Sequence, residues 1–123
     1  MSIHSRIEEL KRRIKKYRKY IRELEELYRQ TEGGFKKIER NVQIPEEAYD
    51  LSRADKWRGI LKDEGKRLKD MTISNIKKDQ ALTSDFMSDI LVTIENLHKL
   101  IQDCEEEIEE LEAMLYAPAE QQM

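Results

Sequence analysis

The chain has 123 residues, 40% of them charged and 38% hydrophobic, with a formal net charge of -3 and a mean hydropathy of -0.84. That is one domain's length with too little apolar material for a thick globular core, and the charge balance argues against polyanion binding by the protein as a whole. Few aromatics, four glycines and two prolines amid abundant Glu, Lys, Arg and Leu match long amphipathic helices that bury only a seam.

The single cysteine, Cys104, has no internal disulfide partner, so folding needs no oxidising compartment. No stretch approaches the ~18 apolar residues of a membrane span, and the opening Met1-Ser2-Ile3-His4-Ser5-Arg6 lacks the apolar core of a secretory signal. The expected location is the cytoplasm, or co-export with a partner by a route that uses no cleaved signal.

From Ser2 the apolar positions are Ile3, Ile7, Leu10, Ile14, Tyr17, Ile21, Leu24 and Tyr28, then Thr31, Phe35, Ile38 and Val42. Steps of four and three alternate throughout, a heptad that puts one stripe on one side of a helix and asks for a partner helix. Ser5 and Glu8 have capping-box spacing, and Ser2 is an equally good first cap. Gly33-Gly34 weakens this helix by roughly 2 kcal/mol relative to two alanines. Two readings stay open there: a kinked helix continuing to about residue 41, its glycines admitting a close neighbour, or a helix end with a glycine cap.

Pro45 followed by Glu46 and Glu47 predicts a helical restart over about 45–55, since proline suits a first turn and acids there complement the helix dipole. Trp57-Arg58-Gly59 then reads as an elbow over 56–59. A second long helix is expected over about 60–116, with Pro118 in the tail 117–123. Its middle, Thr72 to Asp89, is rich in mediocre helix formers and is the expected place for bending.

The strong part of the second helix is Met87, Ile90, Ile94, Leu97, Ile101, Cys104, Ile108, Leu111 and Leu115. Folded antiparallel onto the first heptad, it pairs Ile7 with Leu111, Ile14 with Cys104 and Tyr28 with Ile90. Residue numbers in each pair sum to 118, with Gly59 at the midpoint; sums of 111 and 125 match the heptads equally well. A basic run from Lys11 to Lys19 and an acidic run from Asp103 to Glu112 lie alongside each other at 118 or 125 and largely miss at 111. The expected fold is therefore all-α: a single domain over 1–123, an elongated, coiled-coil-like antiparallel hairpin with a Trp-x-Gly elbow and a short extra helix before it.

Little in the chain points to chemistry. The basic run, with Tyr17 and Tyr20 nearby, could be offered as a nucleic-acid or membrane site, but reads first as the charged flank of a coiled coil. Glu95-Asn96-Leu97-His98 has the Glu-x-x-His spacing of di-iron bundles, yet it stands as one copy where two are needed. There is no phosphate loop, no nucleophile with a spaced base and no alternating β segment, so no catalytic residue, cofactor or metal is expected. Tyr20, Leu27, Phe86, Leu91 and Leu100 give the hairpin more apolar surface than one seam consumes, and form the expected partner-binding stripe.

Small heptad-bearing hairpins with Trp-x-Gly at the elbow resemble the WXG-motif superfamily of type VII secretion, and this chain carries that motif as Trp57-Arg58-Gly59. Its opening, Met1-Ser2-Ile3-His4-Ser5-Arg6-Ile7-Glu8-Glu9-Leu10, and its length are similar to the YwqH-like helical proteins of Firmicutes, encoded beside LXG-domain toxins. The resemblance implies a non-catalytic targeting factor that binds the N-terminal helical domain of an LXG-type toxin and promotes its export. The partners so implied are that domain, a second small helical protein and the secretion machinery, with no nucleic acid and no direct membrane insertion. It also implies that Trp57 packs in the elbow, that Gly59 lets the chain turn closely, and that Tyr116 and Glu120 match the family's Tyr-x-x-x-Asp/Glu export signal. A generic coiled-coil adapter, a homo-oligomeric phage or scaffold protein and a prefoldin-like hairpin chaperone are the alternative readings. The chaperone would need strands in the middle of the chain, and residues 41–59 show no period-two alternation.

Overall fold

In a computed structural model the chain is an all-α helical hairpin in which two long helices pack against each other. The structure describes residues 2–48 and 60–116, and every one of these but Ser2 is helical. Helix α1 is Ile3–Ile38, a π-helical turn follows at Glu39–Gln43, α2 is Ile44–Ala48 and α3 is Ile60–Tyr116. The expected elbow with Trp57 and Gly59, the end of the expected 45–55 helix and the tail from residue 117 lie outside the described residues. Two compact units make up the chain: Met1–Leu27 with Ile90–Met123, and Tyr28–Asp89.

The first cap belongs to Ser2. Its Oγ accepts the Ser5 backbone N–H at 3.0 Å, which satisfies one otherwise orphaned donor, and its carbonyl accepts the Arg6 N–H at 3.0 Å as the first helical hydrogen bond. The box from Ser5 to Glu8 does not form, because α1 is already under way at Ile3.

In the first unit the heptad is the core. Leu10, at 1% exposure, is the most completely buried side chain, and Ile14, Ile21, Ile101 and Cys104 join it in one cluster. Tyr17, Ile94, Leu97, Ile108 and Leu111 pack around them, half-buried. The members from α1 centre near residue 15 and those from α3 near residue 102, which is the 118 register rather than either alternative. The helices run antiparallel: Arg6 reaches Glu107, while Arg22 shares a groove with His98.

In the second unit α3 buries positions ahead of Met87, where its expected stripe begins. Ile73, Ile76 and Thr83 are half-buried, and Gln80, at 6% exposure, is the buried polar residue of the core. Its Nε2 donates to the Phe35 carbonyl at 2.9 Å, which removes the penalty for an amide in the seam. Thr72 and Thr83 donate their hydroxyls to the Leu68 and Asp79 carbonyls one turn back, so these mediocre helix formers are accommodated within an unbroken α3.

Gly33-Gly34 neither ends nor caps α1, which continues to Ile38. A Cβ at either position would meet nothing within 4 Å, so the pair admits no close neighbour either. The interruption comes later. The Ile44 N–H donates to Glu39, five residues back, immediately before Pro45, whose ring would clash with the Asn41 carbonyl in an ordinary α-turn. Ile38, expected on the seam, is already exposed at the end of α1, and within the turn the pattern moves on by one: Val42, likewise expected there, is exposed and Gln43 is half-buried instead.

Two stability predictions follow from this packing. Leu10→Ala should cost about 2 to 5 kcal/mol in urea unfolding, because the cavity lies in a closed seam, whereas Leu82→Ala, at a position 67% exposed, should cost under about 0.5. Gly33→Ala and Gly34→Ala should each stabilise by roughly 1 kcal/mol, since helical backbone and open space receive the methyl at no cost.

Candidate interaction surface

The buried positions divide the exposed surface of the first unit into two flanks. Arg6, Arg13, Tyr20 and Leu27 each stand one residue before a seam position of the α1 heptad, and Leu100 and Glu107 stand one residue before Ile101 and Ile108 on α3. Arg6 ties these two rows together: its Nε donates to Glu107 Oε1 at 2.9 Å and its Nη2 to Oε2 at 3.2 Å. Lys11 and Arg18 instead follow seam residues, as Leu91, His98 and Glu105 do on α3. The Arg18–Glu105 pair at 3.3 Å marks this opposite flank.

The five residues of the expected stripe therefore do not form one surface. Tyr20, Leu27 and Leu100 share the Arg6–Glu107 flank of the first unit, all of them exposed, and Leu91 is on the Arg18–Glu105 flank. Phe86 belongs to the second unit, where the more exposed Leu82 stands four residues before it, a neighbour on the same helix face. Leu82 escapes the sequence reading because it lies outside the heptad and its flanks. Tyr116 is 81% exposed at the last residue of α3, and Glu120, its partner in the export-signal match, lies outside the described residues.

Charge pairing between the helices is sparse. Among the described residues Arg18–Glu105 is the ion pair that joins the basic and acidic runs, with Arg6–Glu107 just beyond the basic one. Most of the remaining pairs stay within a helix, such as Arg13–Glu9 at 2.6 Å and Lys19–Glu23 at 4.0 Å. Partial burial pushes the Glu9 carboxyl up, but its hydrogen bond from Arg6 and the charges of Arg13 and Arg6 bring it below the ordinary carboxylate range. Such exposed pairs are screened by water and salt and contribute little, so the runs do not hold the hairpin together.

Among the described residues no group of three or more His, Cys, Asp or Glu side chains is placed to hold a metal ion. Glu95 of the Glu-x-x-His match pairs with Lys99 at 3.5 Å, and His98 lines an open groove with Arg18 and Arg22. Cys104 is in the core cluster, where burial pushes its thiol pKa up and away from the reactive thiolate. No described helix is long and apolar enough to cross a membrane.

Compared with protein-family models, curated proteins and solved structures, the chain finds no match in any of the three.

The raised thiol pKa carries a pH dependence with a definite sign. Folded Cys104 keeps its proton to higher pH than in the unfolded chain, so its contribution to stability is complete below the unfolded value and is lost as pH rises through the folded one. Urea melts from about pH 7 to about pH 10 should show a loss of stability that Cys104→Val reduces. A thiol reagent should label the native protein far more slowly than the unfolded one.

Proposed function

We propose that this protein is a non-catalytic helical binding partner that packs the Arg6–Glu107 flank of its first unit against helices of another protein. The observation that carries the reading is the set Tyr20, Leu27 and Leu100, apolar side chains left exposed beside a seam already filled by Ile7, Leu10, Ile14, Ile21 and Ile101. Burying an exposed leucine or tyrosine on association contributes about 25 cal/mol per Å² of apolar area, and helix against helix is the form of partner that such a heptad-spaced row accepts.

The resemblance of Trp57-Arg58-Gly59 and of the first ten residues to the WXG and YwqH-like proteins supplies the finer reading. In it the partner is the N-terminal helical domain of an LXG-type toxin, and the complex is delivered to a type VII secretion system. A second small helical protein would complete the assembly, and Tyr116 with Glu120 would act as its export signal.

Co-expression with the helical domain of the toxin encoded alongside tests both levels. The wild-type protein should co-purify with it, and Tyr20→Asp with Leu100→Asp should abolish the complex without lowering the melting temperature by more than a few degrees, because both side chains are already exposed. Absence of a complex, with toxin secretion unchanged on deletion, rejects the export reading. A stable homo-oligomer in light scattering, lost in the same double variant, would assign the flank to a coiled-coil adapter instead.

A further inference from the structure

The opposite flank of the first unit has a chemistry of its own. Between Lys11 and Arg22, α1 carries eight lysines and arginines and no acidic residue. Lys11, Lys15, Arg18 and Arg22 follow one another at steps of four, three and four, so they form one edge of the helix, and with Ile14 they line an open groove. A second groove shares Arg18 and Arg22 and crosses to His98, Gln102 and Glu105 on α3, over a floor that includes Ile21 and Ile101. The acidic run does not neutralise this edge. Arg18 reaches Glu105, Lys11 is 4.0 Å from Glu8, and Lys15 and Arg22 form no ion pair or hydrogen bond among the described residues.

We infer that this edge binds an acidic amphipathic helix of a partner protein, a second surface that does not depend on the Tyr20 and Leu100 flank. The occupant's carboxylates meet Lys15 and Arg22, whose charges are unspent, and its apolar positions cover the groove floor at Ile14 and Ile21. Charge complementarity sets this choice, and the shape of the site separates it from a nucleic-acid strand. A strand needs successive aromatic faces to stack its bases on, whereas Tyr17 is half-buried in the seam, Tyr20 stands on the other flank, and His98 alone brings an aromatic ring to the groove among the described residues. Glu105 on the far side of the groove repels a continuous phosphate chain, but a helix presents its acids on one edge only and can turn that edge toward α1.

Fluorescence anisotropy at low ionic strength tests the assignment. The probe is a labelled synthetic helix of about 20 residues with a leucine stripe edged by glutamates. A polyglutamate peptide and a single-stranded oligonucleotide of equal charge, and phosphatidylserine vesicles, are the comparisons. The amphipathic peptide should bind about tenfold tighter than any comparison, and Lys15→Glu with Arg22→Glu should weaken it about tenfold, with circular dichroism and melting unchanged. Tyr20→Asp with Leu100→Asp should leave this binding intact even where it abolishes the toxin complex. Binding of the oligonucleotide or the vesicles as tightly as the peptide overturns the inference, as does peptide binding that is absent or indifferent to the charge reversal. Dimerisation at low salt that the reversal abolishes also overturns it, because the acidic occupant is then α3 of a second copy.

Discussion

Burial of one heptad seam is the constraint from which the other features of this hairpin follow. A chain this charged has few apolar side chains to place, and in the first unit those of α1 and α3 converge on a strip no wider than Leu10, Ile14, Ile21, Ile101 and Cys104 with their half-buried neighbours. Everything one residue before or after that strip is left at the edge of the core. The fold thus presents two long flanks whose chemistry is free to differ, because neither is needed to keep the helices folded.

They do differ. One flank pairs the Arg6–Glu107 fork with exposed Tyr20, Leu27 and Leu100, and suits contact through apolar area. The other aligns Lys11, Lys15, Arg18 and Arg22 above a narrow apolar floor, and suits contact through charge. Electrostatic contacts of that second kind govern encounter rate and choice of partner more than final affinity, while apolar burial of the first kind slows dissociation. A helical hairpin with both can separate the two tasks in space.

The seam and the helical class were legible because apolar residues at steps of three and four report directly on a buried stripe, but the register was not, since heptads match equally well one repeat apart and the charge runs leave 118 and 125 both open; the core cluster decides for 118. Polar members of the same stripe were not. Gln80 sits at seam spacing, but only a partner such as the Phe35 carbonyl offsets the cost of its burial, and that partner is remote in sequence. The glycine pair misled in the other direction, since a propensity cost of roughly 1 kcal/mol per residue is small against the packing on either side of it. The two charge runs invited pairing by their size, yet the charges occupy nearly every outward position of their helices, and most point away from the opposite helix. The division of the surplus apolar residues between flanks was likewise hidden until the ion pairs of Arg6 and Arg18 identified each side.

The π-helical turn at Glu39–Gln43 has a bearing on how the second unit is addressed. One added residue rotates everything after it by about 100° relative to an uninterrupted helix. Beyond the turn Glu47 stands 3.6 Å from Lys77 of α3. The turn acts as a phase shifter: residues on its two sides belong to different heptad frames, and a face drawn straight through residues 38–48 joins side chains that point in different directions. Pro45 lacks the N–H and the ring clearance that an ordinary α-turn would need at this point, so a single imino acid disfavours bringing the two frames back into step.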